Sequence, residues 1–172
     1  MTDPRNQSRY QVRFDWGVDG GAAIAPGAHI LVWADALPGT ADPLGIPHDG
    51  AVLTGGVGAA PAIARWILDR QVQLGGRAVV AVVAAGTDGR YAVEDLLVAG
   101  AVIDALAEVG IDFTSPEAAA AVGAYSGLRN AIGHVLSASV SGQIAGADAV
   151  AAARQANLSA DVIVLRESSS AA

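Results

Sequence analysis

Ala78-Val79-Val80-Ala81-Val82-Val83-Ala84-Ala85, followed at once by Gly86-Thr87-Asp88-Gly89-Arg90-Tyr91, is the stretch that decides how this chain is read. Its first eight residues are apolar without alternation, the pattern of a strand covered on both faces. The next six form a polar turn. From Ala92 to Val109 the apolar residues, Leu96, Val98, Ala99, Val102, Ile103 and Leu106 among them, share one broad stripe at about 100° per residue, which predicts a helix. Asp104, Glu108 and, near the rim, Glu94 fall on the other side.

Asp95 falls within the apolar stripe, one turn into that helix, where an unpaired carboxylate carries a desolvation cost. Two explanations stand side by side. Asp95 satisfies free N–H groups at the positive end of its own helix, or it points into a site outside the carboxyl end of the strand, where open α/β sheets bind ligands.

Working outward toward the N-terminus, Ala51 to Thr54 reads as a short strand running into Gly55-Gly56-Val57-Gly58, with a helix from Ala59 to Val72 behind it and Pro61 in its first turn. Strand, glycines and helix is a geometry that cradles phosphate on backbone N–H groups. Without a Walker lysine or a complete G-x-G-x-x-G, close packing of strand and helix is the favoured explanation of these glycines, ahead of phosphate binding at Gly56 and Gly58. Residues 36 to 50 hold too many Pro and Gly for a regular element and read as a long loop. His29 to Ala34 is a second buried strand ending at Asp35, a position that suits either a turn former or a metal-ligating or catalytic carboxylate. Tyr10 to Phe14 is a short edge strand, Ala22 to Ala25 is weakly helical, and residues 1–9 form a mobile tail.

Toward the C-terminus, Gly110 stops the central helix. Ser115-Pro116-Glu117 opens another that runs to about Ala138, its small residues allowing close approach of a neighbour, either within the chain or from another subunit. Ser141-Gly142-Gln143 breaks it, Asp148 to Ala156 is helical again, Asp161 to Leu165 is a last strand, and residues 168–172 fray. The alternation of strands and helices predicts one α/β domain over residues 1–172, a three-layer α/β/α fold with a mainly parallel or mixed sheet.

Composition narrows the function. At 172 residues the chain is the size of one ordinary domain, and with 52 % hydrophobic but only 5 % aromatic residues its core must be built from Ala, Val, Leu and Ile. A net charge of −7 argues against nucleic acid or anionic membrane as partners. All ten basic residues are Arg, a bias that a GC-rich coding sequence explains better than phosphate binding. The absence of Cys excludes thiolate chemistry. No apolar run reaches 18 residues and the N-terminus lacks an apolar signal core, so a cytoplasmic protein is the expectation. The three histidines show no metal-ligand spacing, and no G-x-S-x-G elbow supports a hydrolase triad.

What remains is a rim. Asp35, the Gly55–Gly58 loop, the Gly86–Arg90 turn and the Glu94-Asp95 pair all follow strands, and parallel strands would gather them on one edge of the sheet. Asp35, Glu94 and Asp95 as oxygen ligands suit Mg²⁺, with Arg90, Gly86 and Thr87 facing a phosphate.

The order of these motifs resembles the 2-phosphosulfolactate phosphatases, the ComB family. The likeness runs through Asp15-Trp16-Gly17, Trp33-Ala34-Asp35-Ala36-Leu37, the Val79–Gly86 strand, Glu94-Asp95-Leu96-Leu97-Val98-Ala99-Gly100-Ala101, Ser115-Pro116-Glu117-Ala118 and Ser141-Gly142. It implies a ComB-like α/β fold, a homodimer, and a Mg²⁺-dependent phosphatase acting on a small anionic phosphorylated substrate. Asp35, with Glu94 and Asp95, would be the family's acids. The chain departs from the family pattern between Leu37 and Val52, where it is shorter, at Gly86-Thr87-Asp88 and at Val57-Gly58-Ala59-Ala60, all segments where anion-binding residues would stand. A scaffold that keeps the fold without the chemistry is the alternative reading.

Overall fold

A computed structural model describes residues 3–168 of the chain. Its sheet has five strands in the order β1-β4-β2-β3-β5: β1 (Val12–Trp16), β2 (Ile30–Ala34), β3 (Ala51–Thr54), β4 (Val80–Ala84) and β5 (Ile163–Arg166). The first four are parallel, and β5 is antiparallel to β3, so the sheet is mixed.

β4 is central because its side chains have two dry faces to fill. Val80, Val82 and Ala84 point into the larger core with Ile63, Ile67 and Leu106, whereas Ala81 and Val83 join Leu31, Trp33 and Ile46 on the opposite face. Each fully buried Ile or Leu contributes about 1.5–3 kcal/mol relative to an exposed one. The layers are unequal. One face carries α1 (Gly17–Ile24) and the 36–50 loop, whose Ile46 plugs the core. The other carries α2 (Ala60–Leu74), α3 (Val93–Glu108), α4 (Pro116–Leu128), α5 (Ile132–Ala138) and α7 (Ala147–Leu158), with α6 (Val140–Ala145) leading into α7.

That imbalance corrects the expectation for α3. With α4 closing over its outer side, the helix is buried nearly all round, and Glu94, expected on the outer side, is only 3 % exposed. Gly100 permits the approach: a Cβ there would lie 2.7 Å from the Tyr125 Cβ. The close neighbour of the small-residue helix is thus α3 of the same chain. Gly110 ends α3 with a positive φ, while the Gly110 and Ile111 N–H groups donate to the Ala107 and Leu106 carbonyls. Ser115 caps α4 by accepting from the Ala118 N–H at 3.1 Å.

The segment after α4 differs from its reading. α4 stops at Leu128 instead of running to Ala138, and Ser141-Gly142-Gln143, expected to break the chain, lies inside α6. Ser139 supplies the cap that the breakers conceal, its hydroxyl accepting from the Gly142 N–H at 3.0 Å. Gly142 is there for contact, since a Cβ would strike the Leu136 carbonyl.

Residues 3–9, read as a tail, carry hydrogen bonds. Gln7 lies against β1 and exchanges both amide groups with the Phe14 backbone, at 2.8 and 3.0 Å, in the manner of a missing strand. The end of the chain from 169 lies outside the described residues. Arg13 is buried in β1 and donates to the Ile24 and Pro26 carbonyls, a cation at the negative end of α1. No helix among the described residues is long and apolar enough to cross a membrane.

Candidate functional site

The carboxyl ends of β1, β4 and β2 open into a cleft of about 1100 Å³. It is built by Trp16–Asp19 at the junction of β1 and α1, by the loops Leu37–Ala41 after β2 and Ala85–Tyr91 after β4, and by residues of α6 and α7. The loop after β4 is a tight turn. Asp88 and Gly89 both have positive φ, 50° and 72°, and Thr87 and Arg90 exchange N–H···O bonds at 3.0 and 2.9 Å. This is the type I′ geometry that Asp-Gly favours. It places Thr87 and Arg90 in the cleft, where the Thr87 and Ser141 hydroxyls share a hydrogen bond of 2.8 Å. Among the described residues, no carboxylate lies within ion-pair distance of Arg90.

Asp95 does neither thing expected of it alone. One of its oxygens accepts from the Ala36 N–H at 2.8 Å and the other from the Gly86 N–H at 2.9 Å. It clamps the exit of β2 to the exit of β4 and leaves the first turn of its own helix alone. Burial is the main cause that pushes its pKa up, to about 8; the two N–H bonds pull the other way, and the Asp35 and Glu94 charges add to the rise.

Asp35 is half-buried. Its pKa is also raised, first by burial and least by Glu94, while the Gly39 and Leu37 amides and the Trp33 indole oppose the rise. It therefore organises its own turn and faces the other acids. Glu94 has both carboxylate oxygens buried with no hydrogen-bond partner. The three acids come close enough to act on one another, but none of them lines the cleft. Among the described residues no three His, Asp or Glu side chains stand as a group able to hold a metal ion.

Gly56 and Gly58 sit elsewhere. A Cβ at Gly56 would lie 2.9 Å from the Asn157 carbonyl carbon, and one at Gly58 2.7 Å from that of Leu158. The end of α7 occupies the space a phosphate would need, so these glycines serve close packing, with α7 as the partner in place of the following helix.

Asn157 escaped the sequence reading. Its Nδ2 donates at 2.9 Å to the carbonyls of Ala36 and Ala153, and its Oδ1 is buried without a partner. The available signal was its place on the buried face of α7, continuing Val150 and Ala153. Asp19, in the first turn of α1, is a lining residue that no sequence motif marks, and Trp16 and Tyr91 belong to segments already singled out but carry no assigned role there.

The model of the family described as 2-phosphosulpholactate phosphatase matches residues 39–167. The matched span begins after Asp35 and contains Gly56, Gly58, Gly86, Thr87, Arg90, Glu94 and Asp95. No curated protein matches the chain.

Proposed function

The chain belongs to the 2-phosphosulpholactate phosphatase family, and from that premise we propose that it is a phosphoric monoester hydrolase whose substrate places its phosphoryl group at the Gly86–Arg90 turn. One observation carries the reading: among the described residues, the turn in the cleft that combines a cation and a hydroxyl is the turn that Asp95 fastens to the exit of β2. Hydrolysis forms a bond from water oxygen to phosphorus and breaks the bond to the ester oxygen, which leaves with a proton as the alcohol. Arg90 would take the charge that builds on the phosphoryl oxygens, and the Thr87 hydroxyl would orient them.

Mg²⁺ belongs to the same proposal. It is commonly held by one or two carboxylates together with water and substrate oxygens. Glu94, with its two unpartnered oxygens, and Asp35 have the donor chemistry for that, although neither lines the cleft; Asp95, whose oxygens are engaged, would act as the positioning residue. When bound, the ion would neutralise phosphoryl charge. The homodimer also belongs here, supported by the exposed apolar residues Ile163, Val164 and Leu165 on edge strand β5.

The test is phosphate release from 2-phosphosulpholactate with and without Mg²⁺, in the parent protein and in Glu94→Gln. Mg²⁺-dependent release that falls at least tenfold in the variant supports the reading. Folded protein giving no release would favour the scaffold alternative.

A further inference from the structure

The cleft is poorly matched to a compact acid bearing several charges. A phosphorylated sulfo-acid carries a phosphate, a sulfonate and a carboxylate, each needing donors. The lining offers one guanidinium, Arg90, and also includes two carboxylates, Asp19 and Asp88. Most of the remaining surface is apolar. α7 contributes Ala149, Ala152, Ala153 and Ala156, and no side chain longer than a methyl group comes from that helix. Trp16 and Tyr91 meet at 5.0 Å between ring centroids with planes tilted by 43°, and Tyr91 remains 64 % exposed. The volume of about 1100 Å³ lies just above the roughly 300–1000 Å³ usual for a drug-sized ligand, more than a compact three-carbon acid needs.

We infer that the cleft selects a phosphomonoester with a single anionic end and a bulky, flat, apolar body, an aryl phosphate in chemical class, over a compact polyanionic acid. The phosphate end of this inference rests on the hydrolase reading above. The body end rests on the lining alone. Arg90 meets the phosphate, the flat body lies against the Trp16–Tyr91 pair, and the alanine face of α7 leaves space for its width. A second anionic group would face Asp19 or Asp88, where like charges repel.

The experiment compares kcat/KM for phenyl phosphate and 2-phosphosulpholactate in the full chain with Mg²⁺ present, and repeats both with Tyr91→Ala. The expected result is at least tenfold preference for phenyl phosphate, reduced severalfold by the substitution. Equal rates, or preference for the sulfo-acid, would overturn the inference and leave the hydrolase reading standing. If neither compound is hydrolysed, the hydrolase reading fails, and binding decides the rest. Phenylphosphonate should then raise the melting temperature more than inorganic phosphate at equal concentration, with the difference lost in Tyr91→Ala. Equal shifts, or none, would overturn the inference as well.

Discussion

Two glycine-bearing turns leave the same edge of the same sheet and meet opposite fates. After β3, the half-buried Gly55 to Gly58 turn is covered by the end of α7, whose backbone lies closer than van der Waals contact to where side chains at Gly56 and Gly58 would begin. After β4, Gly86 to Gly89 stands open on the cleft, with nothing within 4 Å of a Cβ built at Gly89. Both have the composition of a phosphate loop. Glycine after a strand permits close approach, and what approaches is decided by the rest of the chain: here α7 reached one turn and left the other free. The open turn is held at its base by Asp95, whereas the closed one is held by contact along its length.

The sharpest way to test that difference is pH. Folding raises the Asp95 pKa from 3.8 to about 8, so the native protein keeps a proton that the unfolded chain releases. This contribution is complete below the unfolded value, falls as pH rises between the two, and is gone above about 8. At about 1.36 kcal/mol per unit the ceiling is roughly 6 kcal/mol, offset in part by other carboxylates. Urea unfolding of the metal-free protein at pH 5, 7 and 9 should show stability declining across this window, and in Asp95→Asn the decline should flatten. A decline unchanged in the variant would detach Asp95 from the support of the open turn.

Arg90→Ala comes next in size. Removing a preorganised charge that meets developing anionic charge costs about 10²–10³ in rate, and stability should stay within about 0.5 kcal/mol because the side chain lies at the surface. Phosphate release and urea midpoints measured on the same preparation separate the two effects. Stability lost together with rate would make Arg90 part of the scaffold. Gly56→Ala should do the reverse, costing about 1–3 kcal/mol through overpacking against Asn157. A neutral outcome in urea unfolding would mean that α7 yields there, and the contrast between the turns would weaken.

Much of this arrangement was legible beforehand, and the exceptions have a common cause. The uninterrupted Ala78–Ala85 run, the Ser115-Pro116 start and the Gly110 stop each depend on local chemistry and appear within a residue or two of their expected places. Periodicity puts Glu94 outside because it describes one helix at a time and contains nothing about α4 packing against that helix. The same periodicity marks Asp95 as a carboxylate needing partners, yet Ala36 is 59 residues away in sequence. Asn157 and the cover over Gly56 lie further still along the chain. Long-range backbone contacts leave no pattern in spacing, and the parts of the rim that the sequence does not show are built from them.

Gly89→Ala is the smallest change and the most discriminating one for that argument. At Gly89 the only obstacle is conformational: φ is 72°, and a residue with a Cβ pays about 1 kcal/mol to stay in the left-handed region. No neighbour must move. The expected loss is therefore about 1 kcal/mol in urea unfolding, below that of Gly56→Ala, although both replace hydrogen by methyl in a strand-end turn. Because Thr87 and Arg90 hold each other through backbone bonds that the substitution does not touch, the turn should keep its shape and phosphate release should change less than threefold. A loss matching that at Gly56 would place an unseen contact over the open turn and remove the ground for calling it open.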